Sequence, residues 1–123
     1  MQSPYEILGE DGIRQLTDAF YDIMAESSEV SGIRAMHAED LTPMKDKLAE
    51  YLIGWMGGPP IYAQKYGSVC MTGPHKDYAI GASERDQWLL CMDKALERID
   101  ASEELKTMLK GPMFGIADAV KNR

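Results

Sequence analysis

Two histidines are the side chains of this chain best suited to bind a metal or to move a proton near neutral pH. His75 sits in Thr72-Gly73-Pro74-His75-Lys76-Asp77-Tyr78, and neutral imidazole is a ligand that iron takes in gas-binding haem proteins. The same residue in a loop serves equally well as a solvated or capping side chain, and His37 has the same two readings. The histidines lie 38 positions apart with no CxxC or HExxH motif around them, so a zinc site has no recognisable ligand set. Serine, histidine and aspartate all occur, but no strand-turn-helix elbow frames a serine, and the scaffold of a hydrolase is missing. Gly57-Gly58-Pro59-Pro60 lacks the Lys-Ser or Lys-Thr that completes a phosphate loop and reads as a helix stop and turn. Cys70 and Cys91, the only cysteines, read as thiols, because a chain able to build its own core needs no disulfide staple.

The elements that must position these residues are helical. Ile13, Leu16, Phe20, Ile23 and Met24 form one apolar stripe, which predicts a helix over 11–26 with Asp11 as its cap. Ser3 and Pro4 start a shorter helix before it, closed by Gly9. A loop with a short helix around 33–37 follows. Thr42 and Pro43 then form a cap and first turn for a helix carrying Leu48, Tyr51, Leu52 and Trp55. Pro59-Pro60 opens a short helix with Ile61, Tyr62 and Tyr66, and the span to Gly81 is mostly loop, with one helical turn before His75. Ser83 and Asp86 form a capping box for a long amphipathic helix bearing Trp88, Cys91, Met92 and Ile99. A last helix starts at Ser102, breaks at Gly111-Pro112 and resumes through Phe114 and Val120. No segment reads as a strand.

Length and charge narrow the classes of partner. The 123 residues support one domain over 1–123, with 45% hydrophobic and 27% charged residues, a globular balance. A formal net charge of −7 offers no basic surface for nucleic acid. No apolar run approaches the roughly 20 residues that span a bilayer, and no signal-peptide pattern opens the chain, so a cytoplasmic, non-membrane protein is expected. Nine methionines suit irregular apolar walls, those around a flat ligand included. The irregular middle also calls for a reason, since long loops in compact domains usually serve a function, and this one contains His75.

Taken in order, the residues resemble a known family. Tyr5-Glu6-Ile7-Leu8-Gly9-Glu10-Asp11-Gly12-Ile13, Phe20-Tyr21-Asp22, Met36-His37-Ala38-Glu39-Asp40-Leu41, Trp55-Met56-Gly57-Gly58-Pro59-Pro60-Ile61-Tyr62, His75, Ile80-Gly81 and Glu84-Arg85-Asp86-Gln87-Trp88-Leu89-Leu90-Cys91-Met92 resemble the group II truncated haemoglobins across nearly the whole chain. The Gly-Gly-Pro turn and the Glu-Arg-Asp-x-Trp-Leu-x-Cys-Met run, on either side of His75, are the most specific pieces.

The resemblance implies an all-α fold, a shortened globin in which a two-over-two helical sandwich encloses haem b. It implies His75 as the proximal iron ligand, with Tyr21 and Trp88 donating hydrogen bonds to a ligand on the distal side and His37 at a variable pocket position. Met44 and Leu48 fall over the haem, Met44 where larger globins carry a distal histidine. Lys47 reaches a haem propionate, and Met71, Tyr78 and Met92 contact the haem, Met71 on the proximal face. The chain departs from the family around Cys70-Met71-Thr72-Gly73-Pro74 and Lys76-Asp77-Tyr78. Pro74 offers no N–H there, so the imidazole needs another partner, such as a carbonyl accepting from Nδ1. The implied function is binding of O2, and of CO and NO at the same site, for storage, transport or sensing. The alternative is a redox enzyme, an NO dioxygenase or a peroxidase-like protein, working with a reductase. A monomer or weak homodimer is expected, and a haem-free helical interaction module is the remaining reading.

Overall fold

The computed structural model describes residues 2–68 and 70–123, with Thr72 described by its backbone alone. Among the described residues seven α-helices follow one another: α1 (Pro4–Glu26), α2 (Ser31–Arg34), α3 (Thr42–Trp55), α4 (Ile61–Tyr66), α5 (Thr72–His75), α6 (Ala82–Arg98) and α7 (Glu103–Ala119), with a 3₁₀ turn at Ser28–Val30 before α2. Among the described residues there is no strand.

The start of α1 is set by a reciprocal cap. Ser3 Oγ accepts from the Glu6 N–H at 3.1 Å while Glu6 Oε1 accepts from the Ser3 N–H at 3.0 Å. The expected junction of two helices falls on Gly9, whose non-helical φ of 69° and ψ of 175° end the first limb of α1 and kink the chain into the second. Asp11 therefore lies inside the second limb and does not cap it.

Four other expectations differ from the structure. At α3 the cap position falls on Leu41, which makes no side-chain cap, and Asp40 Oδ1 accepts from the Thr42 N–H at 3.0 Å. At α6, Glu84 Oε1 reaches back to the Gly81 N–H at 2.7 Å, which starts the helix ahead of Ser83; the Ser83 hydroxyl instead accepts from Gln87 Nε2. In α7, Ser102 Oγ caps the Leu105 N–H as anticipated, but the helix continues through Pro112 without a break. The short helix of the 30s comes earlier than expected, at Ser31–Arg34.

Two antiparallel pairs make up the body. Tyr5 N–H donates to the Met56 carbonyl at 3.0 Å, and Lys45 pairs with Asp22 at 3.2 Å, so α3 runs back along α1. Arg85 joins Asp118 at 3.0 Å, so α7 runs back along α6. The close approach of the first pair explains Gly58, where a Cβ would fall 2.5 Å from the Tyr5 ring. The pairs cross where α1 packs on α6, around Ile13, Leu16, Phe20, Met24, Leu52, Ile53, Met92, Leu105 and Leu109, all buried. Each such side chain contributes about 1.5–3 kcal/mol through removal from water. Cys91 is buried in this core and Cys70 is exposed, and no disulfide joins them.

Candidate functional site

His75 is the last residue of α5, half-buried, and its Nδ1 lies 2.6 Å from the Met71 carbonyl oxygen. A carbonyl only accepts, so Nδ1 carries the proton, and in the neutral ring Nε2 then keeps a free lone pair. That is the arrangement in which a histidine ligates a metal while its other nitrogen is held by the protein. The missing N–H of Pro74 costs nothing here, because it falls in a first helical turn where no intrahelical partner exists. Met71 thus contributes its main chain as well as a half-buried side chain, while Tyr78 is 45% exposed and donates its N–H to the His75 carbonyl at 3.1 Å.

Three other predicted residues come together around Phe20. The Phe20 ring lies 5.0 Å from Tyr21 and 5.3 Å from Trp88, and the Tyr21 ring lies 5.9 Å from His37. Burial, with a smaller contribution from Cys91, pushes the Tyr21 phenol well above its ordinary range, so the hydroxyl keeps its proton and serves as a donor. His37 is oriented by the Ile33 carbonyl, 2.7 Å from its Nδ1. Ile33 in turn donates its N–H to Gln87 Oε1 at 3.1 Å, one residue before Trp88. Sequence reasoning missed Phe20 and Gln87 as parts of the site. Phe20 carries only the signal of a core residue, and Gln87 that of a polar face.

Met44, Leu48 and Trp88 are partly buried and pack on the core, together with Tyr51, Leu89 and Leu90, so α3 and α6 each present apolar surface that the chain itself does not fully cover. Met92 is closed inside the core at 1% exposure. Lys47 holds its ammonium 5.1 Å from the ring centre of Tyr66. Met71, His75 and Tyr78 stand apart from the packed cluster, on the segment between α4 and α6.

The donor set suits haem. Among the described residues no three His, Cys, Asp or Glu side chains cluster as a bare ion would require. Haem asks for less from the protein: one imidazole with a free nitrogen and apolar walls, which His75 and the half-covered surfaces of α3 and α6 provide. An apolar cleft of about 210 Å³ lined by Tyr51, Gly54, Trp55, Pro60, Tyr62 and Ala63 opens beside α3, and none of these residues is a strong metal ligand.

Two antiparallel helix pairs crossing over a shared core, with a single histidine on a short helix between them, define a globin of the two-over-two kind. A family model of bacterial-like globins matches residues 3–122. The group 2 truncated hemoglobin YjbI of Bacillus subtilis (strain 168) is 30% identical over 109 residues, which is 89% of this chain and 80% of that protein. Among solved structures, the group II 2-on-2 hemoglobin of Agrobacterium tumefaciens is 33% identical with a TM-score of 0.92, over 99% of this chain and 95% of that one. A truncated oxygen-avid haemoglobin from Bacillus subtilis is 30% identical with a TM-score of 0.88, over 98% and 100% of the two chains. The chain belongs to the bacterial-like globins, as a group II truncated haemoglobin.

Proposed function

We propose that this globin holds haem b through Nε2 of His75 and binds O2, with CO and NO as alternative ligands, beside Tyr21 and Trp88. The observation that carries the reading is the bond between His75 Nδ1 and the Met71 carbonyl, which leaves the other ring nitrogen available to ligate iron. Haem b would supply an iron able to take the His75 imidazole and to bind a diatomic gas.

The chain's own residues do the rest. Met44, Leu48, Met71, Tyr78 and Trp88 would line the porphyrin, whereas Met92, expected there, is closed off inside the core; Lys47 would meet a propionate, a contact that orients more than it strengthens. Tyr21, kept protonated by burial, and the indole N–H of Trp88 donate toward the ligand, and His37 flanks Tyr21. Oxygen avidity in the Bacillus subtilis relative supports O2 as the ligand here. No described helix is long and apolar enough to cross a membrane.

Reconstitution with haemin tests the reading. The wild-type protein is expected to develop a Soret band, and His75→Ala to lose it or to bind haemin with a different spectrum. A wild-type protein that takes up no haemin overturns the proposal.

A further inference from the structure

The segment that carries His75 has little to hold it. Among the described residues α5 packs extensively along no other helix, and residues 76–79 are exposed, leaving Ile80 as the next buried side chain. An imidazole on such a segment would swing with its backbone unless polar contacts fix the main chain.

Asn122, just beyond α7, makes those contacts. Its Nδ2 donates to the Tyr78 carbonyl at 2.8 Å and to the His75 carbonyl at 3.3 Å, while its Oδ1 accepts from the Ile80 N–H at 2.9 Å. The backbone N–H groups of Asn122 and Arg123 both donate to the Ile80 carbonyl, at 2.8 and 3.1 Å. Two carbonyls and one N–H face the amide, a pattern that the two donors and one acceptor oxygen of asparagine satisfy and that a carboxylate does not. The bonds span 42 to 47 positions of sequence, so they tie the His75 segment to a remote part of the chain.

We propose that Asn122 is a positioning residue for the proximal imidazole, a polar clasp that sets the orientation of His75 by fixing the carbonyls of residues 75 and 78 and the N–H of residue 80. The role rests on haem binding through His75, as proposed above. Asn122 acts on the backbone and does not touch the ligand. With the Met71 carbonyl holding the ring and Asn122 holding the main chain, the imidazole is constrained from both sides.

Asn122→Asp discriminates, because it keeps the acceptor for Ile80 and sets an anionic oxygen against two carbonyls. Lys121→Ala, a neighbour whose N–H bonds only within its own turn, serves as the control. Three readouts apply: the iron–histidine stretching band of the ferrous protein, the rate of haem transfer to an excess of an acceptor globin, and amide hydrogen exchange at residues 76–81 of the haem-free protein. Asn122→Asp is expected to shift or broaden the band, to release haem about tenfold faster, equivalent to about 1.4 kcal/mol, and to speed exchange at Tyr78, whose N–H bonds the His75 carbonyl. Lys121→Ala should change none of these. A coloured Asn122→Asp protein whose band and haem-loss rate equal those of the control overturns the clasp and leaves the haem reading standing, even if its exchange is faster. Wild-type protein that binds no haemin overturns both.

Discussion

Tyr21 and Trp88 come from different helices, and what makes them one site is the ring of Phe20 wedged between them. If each donates to the ligand as proposed, removing one forfeits that hydrogen bond while keeping an aromatic side chain at the position. Tyr21→Phe and Trp88→Phe are each expected to speed O2 dissociation by about 5- to 30-fold, the equivalent of about 1–2 kcal/mol. Stopped-flow displacement by CO measures this, and rates equal to wild type would show that neither group reaches the ligand. Cys91, next to this cluster, has its thiol pushed up to about 11 by burial, against a smaller opposing pull from Lys94. It should resist alkylation at pH 8 in the folded protein and react once the chain is denatured, as peptide mapping can show; ready labelling of the native protein would contradict the buried, neutral thiol. The sequence made Tyr21, His37, His75 and Trp88 visible as candidates because each bears a group with chemistry of its own. Phe20, Gln87 and Asn122 stayed hidden, since their roles lie in what they touch across 42 to 68 positions of chain, and contact at that range has no local signature.

Helix existence was legible from apolar spacing, whereas helix starts were decided by competition between neighbouring polar groups. Thr42 becomes the first residue of α3 and not its cap, because the Asp40 carboxylate takes the Thr42 N–H, a bond that holds it below its usual range. Glu84 likewise reaches past Ser83 to the Gly81 N–H. Pro112 misled because its ring is read as a break, yet the exposed face on which it sits lets α7 continue. Glycines within helices separate into two kinds by the same reasoning. Gly115 lies exposed in α7 with open space where a Cβ would stand, so Gly115→Ala should stabilise the fold by about 0.5–1 kcal/mol through reduced backbone freedom of the unfolded chain. Gly32 is the opposite case. A Cβ there would fall 2.9 Å from the Gln87 amide, which holds the Ile33 N–H and through that residue the turn carrying His37. Gly32→Ala should therefore destabilise by about 1 kcal/mol, the net value of the hydrogen bond displaced. Urea unfolding of the two variants should move their midpoints in opposite directions; a shift of the same sign in both would refute the distinction.

Across the whole molecule, the two helix pairs close their core where α1 meets α6 but leave Met44, Leu48, Tyr51 and Trp88 only partly covered. A four-helix body of this size forgoes burial at these positions unless a flat apolar partner supplies it, which makes folding and haem uptake two linked equilibria. A ligand that binds the native chain and not the unfolded one raises stability by RT ln(1 + [L]/Kd), about 2.7 kcal/mol at a hundredfold excess over Kd. For a domain of this length each kcal/mol moves the thermal midpoint by about 4 °C, so haemin at that excess should raise it by about 10 °C. The gain should grow with the logarithm of haemin concentration, without a plateau until the haemin itself aggregates. His75→Ala keeps the apolar walls and removes the axial ligand, so it should retain only the share of the shift that burial alone provides, while Lys121→Ala should retain all of it. Calorimetric scans of the three proteins across a haemin series would establish the partition. An equal rise in all three would mean that the iron–imidazole bond contributes nothing to the folded state, and that His75 lies outside the haem site.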